Sequence, residues 1–151
     1  PKQIVVVSSA PQIRYPDCYG IDMARLEALI AFQGALALHK DRGTESILDV
    51  IYKKCKDQES SPDSEQINHV KELYAPFTDE EISDKIAEII SEKSITADVK
   101  VIFQSVADLH KACPDNLGDW YFTGNYPTPG GNRVVNKAYI NFIEGNPERA
   151  Y

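Results

Sequence analysis

The spacing of apolar residues changes character several times along this chain. Ile4-Val5-Val6-Val7 is an unbroken run of four β-branched residues. A half-exposed strand would alternate apolar with polar, so the run predicts a short strand buried on both faces. Ser8-Ser9-Ala10-Pro11 ends it with small and hydroxyl-bearing residues, and Pro11 and Pro16 stiffen the loop beyond. Asp22 is placed as the N-cap of a helix from Met23 to about Lys40. Met23, Leu26, Leu29, Ile30, Leu36 and Leu38 recur there near the helical period, interrupted by Gly34, which marks a bend or a close neighbour.

Gly43 stops that helix and Thr44 caps the next, Glu45 to about Lys56. Ile47, Leu48, Val50 and Ile51 point inward there, and the last turn is cationic. Residues 57–64 read as a polar linker, and a short third helix is expected from about Asp63 to Tyr74 around Ile67, Val70 and Leu73. Thr78-Asp79-Glu80-Glu81 is a capping box. It opens a helix to about Glu92 with Ile82, Ile86, Ile89 and Ile90 on one face. A second buried strand is predicted over Val99–Phe103, and Ser105 caps a helix that buries Val106, Leu109 and Cys113.

Helix, strand, helix at this spacing is the crossover pattern of a parallel sheet. The predicted class is therefore α/β, with a short parallel sheet (strands near 4–8 and 99–103) and a majority of helix. From Pro114 to Gly131 the chain is aromatic and turn-rich. That stretch predicts an ordered loop pinned by buried rings, followed by a helix from about Val134 to Glu144 capped by Asn132.

Composition narrows the partners. At 151 residues with 42% hydrophobic and 26% charged positions, the chain is expected to form a single domain. A net charge of −7 disfavours a nucleic-acid partner. No apolar run approaches the ~20 residues of a membrane span, and no signal-peptide pattern opens the chain. Cys18, Cys55 and Cys113 are widely spaced and odd in number, which suits a reducing, cytoplasmic compartment. The sequence has no initiator Met and the first strand begins almost at once, so it reads as part of a longer protein.

Few side chains carry chemistry. His39, His69 and His110 fall on separate predicted helices without a carboxylate at ligand spacing, so they are expected at the surface or its boundary, not on a metal. Asp79, Glu80 and Glu81 are explained by the dipole of the helix they begin. Pro129-Gly130-Gly131-Asn132-Arg133 fits a turn and N-cap better than an anion cradle, because nothing strand-like precedes it. Ser8 and Ser9, with Arg14, are more promising. They lie where a parallel strand delivers its loop, the position at which such sheets bind ligands.

A family resemblance rests on two segments. Val7-Ser8-Ser9-Ala10-Pro11-Gln12-Ile13-Arg14-Tyr15-Pro16 with Tyr19-Gly20-Ile21-Asp22-Met23, and later Tyr121-Phe122-Thr123-Gly124-Asn125-Tyr126-Pro127-Thr128, resemble in order the C-terminal part of glutamine amidophosphoribosyltransferases. With the helix–strand–helix between them, the match covers about half the chain. The resemblance implies part of a phosphoribosyltransferase-type domain, with the remainder of that domain and an N-terminal glutaminase domain in the parent chain. It also implies a homo-oligomer and feedback inhibition by purine nucleotides. Ser8, Ser9, Arg14, Tyr19 and Asp22 become the residues expected near substrate or nucleotide. Relative to the family, residues 42–76 look like a helical insertion, and 114–151 form the aromatic tail and C-terminal helix.

The same comparison says what the chain lacks. Members with an iron–sulphur cluster carry cysteines just before the Phe-Thr-Gly step. Asp115 to Tyr121 contains none, which points to a cluster-free branch. The N-terminal cysteine that cleaves glutamine is missing, since residue 1 is Pro. So is the acid-acid-hydroxyl loop that holds phosphoribosyl pyrophosphate with magnesium. The expectation is a parent that makes phosphoribosylamine and a fragment that by itself is inactive and holds no cofactor. A reading from another class stands beside it: a non-catalytic regulatory or oligomerisation module that keeps the fold.

Overall fold

A computed structural model describes residues 2–21, 23–91, 94, 96–116 and 118–150. Both expected strands are present. β1 (Gln3–Ser8) and β2 (Asp98–Phe103) run parallel and side by side, in register from Gln3 opposite Asp98 to Ser8 opposite Phe103. The helices are α1 (Ile30–Arg42), α2 (Ile47–Asp57), α3 (Lys71–Tyr74), α4 (Asp79–Ile90), α5 (Val106–Ala112), α6 (Trp120–Thr123) and α7 (Pro129–Glu144). The described residues thus make an α/β structure dominated by helix around a two-stranded parallel sheet.

One expectation fails in an instructive way. β1 is not buried on both faces: Val5 is 47% and Val7 69% exposed. Helix α4 lies over β2 and buries Val101, while β1 packs chiefly against β2. The run of branched residues meets the requirements of an interior strand, yet no described element covers it.

Helix α1 carries the core. Phe32 is fully buried and meets Tyr139 and Phe142 edge-on, at ring-centroid distances of 6.3 and 4.9 Å. On the other side of α1, Gly34 lets α4 approach: a Cβ there would stand 3.4 Å from Ile86 Cγ1. The helix begins later than its apolar spacing suggests. Leu26–Ala28 is a 3-10 turn, and Leu29, extended at φ −85° and ψ 118°, breaks the path before Ile30.

Residues 42–76 pack into the same core through Ile51, Cys55, Val70, Leu73 and Tyr74. His39, expected at the boundary, is buried. Its Nδ1 pairs with Thr44 Oγ1 and its Nε2 with the Leu73 carbonyl, both at 2.8 Å. A carbonyl only accepts, so Nε2 carries a proton and donates it to Leu73. Thr44 therefore serves His39, and Ser46 takes the N-cap position of α2.

The helix expected over 63–74 reduces to a 3-10 turn at Asp63–Glu65 and the single turn of α3. Asn136 of α7 explains the gap. Its Oδ1 accepts from His69 N at 3.2 Å and its Nδ2 donates to Ile67 O at 2.8 Å, replacing bonds a helix would make within itself. Ile67 consequently points outward, 59% exposed.

The remaining boundaries follow from caps. Thr78 and Glu81 form the full capping box of α4, which ends at Ile90; Glu92 lies outside the described residues. Ser105 Oγ accepts from Asp108 N at 3.0 Å and starts α5, but α5 buries none of its residues and Cys113 is exposed. The aromatic tail contains one turn of helix, α6, and α7 starts at Pro129, earlier than Asn132 suggests, because proline suits the first helical position.

If 42–76 belongs to the same cooperative unit as α1 and α7, Ile51→Ala lowers global stability by about 2–5 kcal/mol. Urea unfolding followed by circular dichroism checks this. A loss confined to a separate minor transition contradicts it.

Candidate functional site

The opening loop and the aromatic tail form one junction. The amides of Arg14 and Tyr15 both donate to the Tyr121 carbonyl, at 2.8 and 3.1 Å. Tyr126 OH donates to the Pro16 carbonyl, and Tyr19 OH lies 3.3 Å from Thr128 Oγ1. The Tyr19 and Trp120 rings meet edge-on at 5.5 Å. Glycine is required at two points of this seam. Gly124 has φ +70°, and a Cβ there would stand 2.6 Å from Asn68 Nδ2 and 2.8 Å from Tyr15 Cζ. A Cβ on Gly131 would stand 2.4 Å from the Tyr126 ring.

Asp17 lies at the centre of the seam and is wholly buried. Tyr121 OH donates to its Oδ1 at 2.5 Å, and the amides of Tyr19 and Ile21 donate to Oδ2 at 2.8 and 2.7 Å. Burial opposes the charged form. The hydrogen bonds from Tyr121 and from the Ile21, Tyr19 and Gly20 amides outweigh it and hold the carboxyl below the usual aspartate range. Burial and the same bond push the Tyr121 phenol up. Sequence reasoning did not single out Asp17. The available signal was an aspartate between Pro16 and Gly20, the composition of a side chain that closes its own turn.

Arg14 faces a different place. Its guanidinium donates to Gln12 Oε1 from Nε (3.1 Å) and Nη2 (2.6 Å), pairs with Asp79, and lies 5.3 Å from the centre of the Tyr74 ring. Gln12 is buried, and its Nε2 donates to Asp79 O at 2.7 Å and Ser83 Oγ at 2.9 Å. Arg14, Gln12, Asp79 and Ser83 wall a cleft of about 290 Å³ that also takes in Phe103 and Phe122. It opens beside the C-terminal end of β2, where parallel sheets present ligand sites.

The other predicted site residues do not join that cleft. Ser8 Oγ is engaged in a local turn with Ala10, at 3.0 and 3.2 Å. Ser8 and Ser9 line a separate shallow groove of about 490 Å³ with Val7, Ile102 and Leu109. Tyr19 is half exposed on the tail side, and Asp22 lies outside the described residues. The structure thus distributes Arg14, the two serines and Tyr19 over three places.

Among the described residues no group of three or more His, Cys, Asp or Glu side chains is placed to hold a metal ion. The three cysteines are free. Cys55 is buried, its thiol pushed up to about 12 by desolvation, and its Sγ donates to Asn136 Oδ1 at 3.5 Å. No described helix is long and apolar enough to cross a membrane. No known protein family, curated protein or solved structure matches the chain.

Asp17 sets a pH dependence whose sign follows from its lowered value. Its contribution to stability is present above the unfolded aspartate pKa of about 3.9 and is lost as pH falls through the lower folded value. Chemical denaturation between about pH 5 and pH 2 is expected to show a steeper loss for the parent sequence than for Asp17→Asn. Tyr121→Phe removes a hydrogen bond to a charged group and costs about 1.5–3 kcal/mol at neutral pH. Parallel pH profiles for the parent sequence and Asp17→Asn contradict this assignment.

Proposed function

We propose that this chain is the C-terminal part of an amidophosphoribosyltransferase-like enzyme with a phosphoribosyltransferase-type fold, from the cluster-free branch of that family. One observation carries the reading. The two segments that resemble the family are separated by about a hundred residues, and they pack against each other through Asp17–Tyr121, Tyr126–Pro16 and the paired amides of Arg14 and Tyr15. A chance likeness at two places gives no reason for them to share a seam. Tyr121, immediately before Phe122-Thr123-Gly124, occupies the stretch where cluster-bearing members place thiolates, and here that stretch is tied down by a carboxylate–phenol hydrogen bond.

In the reaction of the parent, a cysteine of the glutaminase domain attacks the glutamine amide and releases ammonia, and water then frees glutamate from the thioester. Ammonia attacks C1 of phosphoribosyl pyrophosphate as the C1–O bond breaks and pyrophosphate leaves; a magnesium ion held by the rest of the parent would offset the charge of that leaving group. None of these groups belongs to this chain, which contributes scaffold. The Arg14 cleft beside the end of β2 and the Tyr19–Asp22 turn are the parts proposed to lie near substrate or a purine nucleotide. The parent is proposed to be a cytoplasmic homo-oligomer.

The test is the parent protein. Supplied with glutamine, magnesium and phosphoribosyl pyrophosphate, it is expected to release pyrophosphate and glutamate in equal amounts, whereas the 151-residue chain releases neither. A folded parent with neither activity overturns the enzymatic reading and favours a binding module.

A further inference from the structure

Helix α7 ends differently from α1 and α2. α1 places His39, Lys40 and Arg42 in its last turn, and α2 places Lys54 and Lys56 there. Cations at those positions offset the negative end of the helix dipole. The last turn of α7 carries no basic residue and finishes on Glu144. At 16 residues α7 is a full-length helix whose negative end is uncompensated from within. A pocket of about 210 Å³ lies against that end, walled by Asn141, Phe142, Gly145 and Pro147 and, across the gap, by Arg25 and Glu27.

The donors around this pocket are already committed. Gly145 N donates to Phe142 O at 3.2 Å and Asn146 N to Asn141 O at 2.8 Å, closing the helix. Arg25 directs Nε and Nη2 to Glu27 Oε1, both at 2.5 Å, so that its charge is offset. One acceptor is not committed. Asn141 is only 4% exposed, and its Nδ2 donates to Glu148 O at 3.0 Å. A carbonyl only accepts, so that bond fixes which end of the carboxamide is which. Oδ1 is thereby left buried without a donor among the described residues, a costly state for a polar atom.

We infer that this pocket binds a primary alkylammonium group, a positively charged N–H donor on a short aliphatic stem, independently of the functional reading above. The N–H group answers Asn141 Oδ1, the charge answers the end of α7, and the ring of Phe142 offers the stem an apolar wall. An anion finds the amides of Gly145 and Asn146 engaged. A metal ion finds one carboxylate, Glu27, already paired with Arg25. The pocket is several times the ~30 Å³ share of a single water, which leaves room for a group of several heavy atoms.

Titration with n-butylammonium chloride, followed by nitrogen–proton correlation spectra, tests this. Saturable shifts are expected at the Asn141 side-chain amide and at the Gly145 and Asn146 backbone amides. Tetramethylammonium has the charge without an N–H donor, and n-butanol has the stem without the charge; neither is expected to saturate. Two exposed residues give opposite predictions without disturbing the core. Glu27→Gln releases the Arg25 charge and weakens binding by about fivefold, the effect of one charge at about 4 Å in water. Arg25→Gln removes a resident cation and tightens binding by a similar factor. Asn141→Ala abolishes it, and if that variant fails to fold, the Glu27 and Arg25 variants still decide. Lysine blocked at both backbone ends identifies the source: tighter binding than n-butylammonium marks a protein-borne lysine, weaker binding a free amine. The inference is overturned if all three probes shift the same resonances alike, if none saturates, or if the Glu27 and Arg25 variants change affinity in the same direction.

Discussion

Burying one carboxylate, Asp17, constrains the whole loop side of this structure. A charge removed from water is tolerated only when donors surround it. Here a phenol from the tail and amides from the loop's own turn supply them. The phenol is that of Tyr121, so satisfying the charge also fixes the path of α6. The Tyr121 carbonyl then receives Arg14 and Tyr15, whose neighbours reach the start of α4 through Gln12. A polar requirement at one atom group thus sets the relation among loop, tail and α4.

The helical side follows a different logic. It is organised by α1, which presents Phe32 to α7 and Gly34 to α4, and whose last turn holds His39 in a polar slot between Thr44 and Leu73. Asn136 performs the corresponding task from α7, bonding the backbone of 67–69 that does not bond itself. Segments 42–76 and 129–144 are therefore interdependent. Each supplies what the other lacks, apolar area in one direction and amide partners in the other.

Much of this was legible in the residues. The parallel pair β1 and β2, the capping box at Thr78 and the cap at Ser105 follow from local chemistry, and all are present. What escaped was decided by distant partners. The helix over 63–74 dissolves because Asn136 competes for its backbone, and His39 is drawn inward by a carbonyl 34 residues away. The site residues show the same limit. Arg14 was recognisable as functional-looking, but its pairing with Asp79, 65 residues on, carries no signal near Arg14 itself. Asp17 carries no signal of its own, because one loop carboxylate among many looks like solvent-facing charge without its phenol partner in view.

The three thiols occupy contrasting surroundings: Cys113 open, Cys18 half covered, Cys55 sealed between α2 and α7. With its pKa raised to about 12, Cys55 has almost no thiolate at neutral pH even before access is considered. Its reaction with an alkylating reagent must wait for the two helices to part, while Cys113 reacts at once. The molecule therefore contains its own clock: the delay between the first and last label measures how often the helical half breathes open.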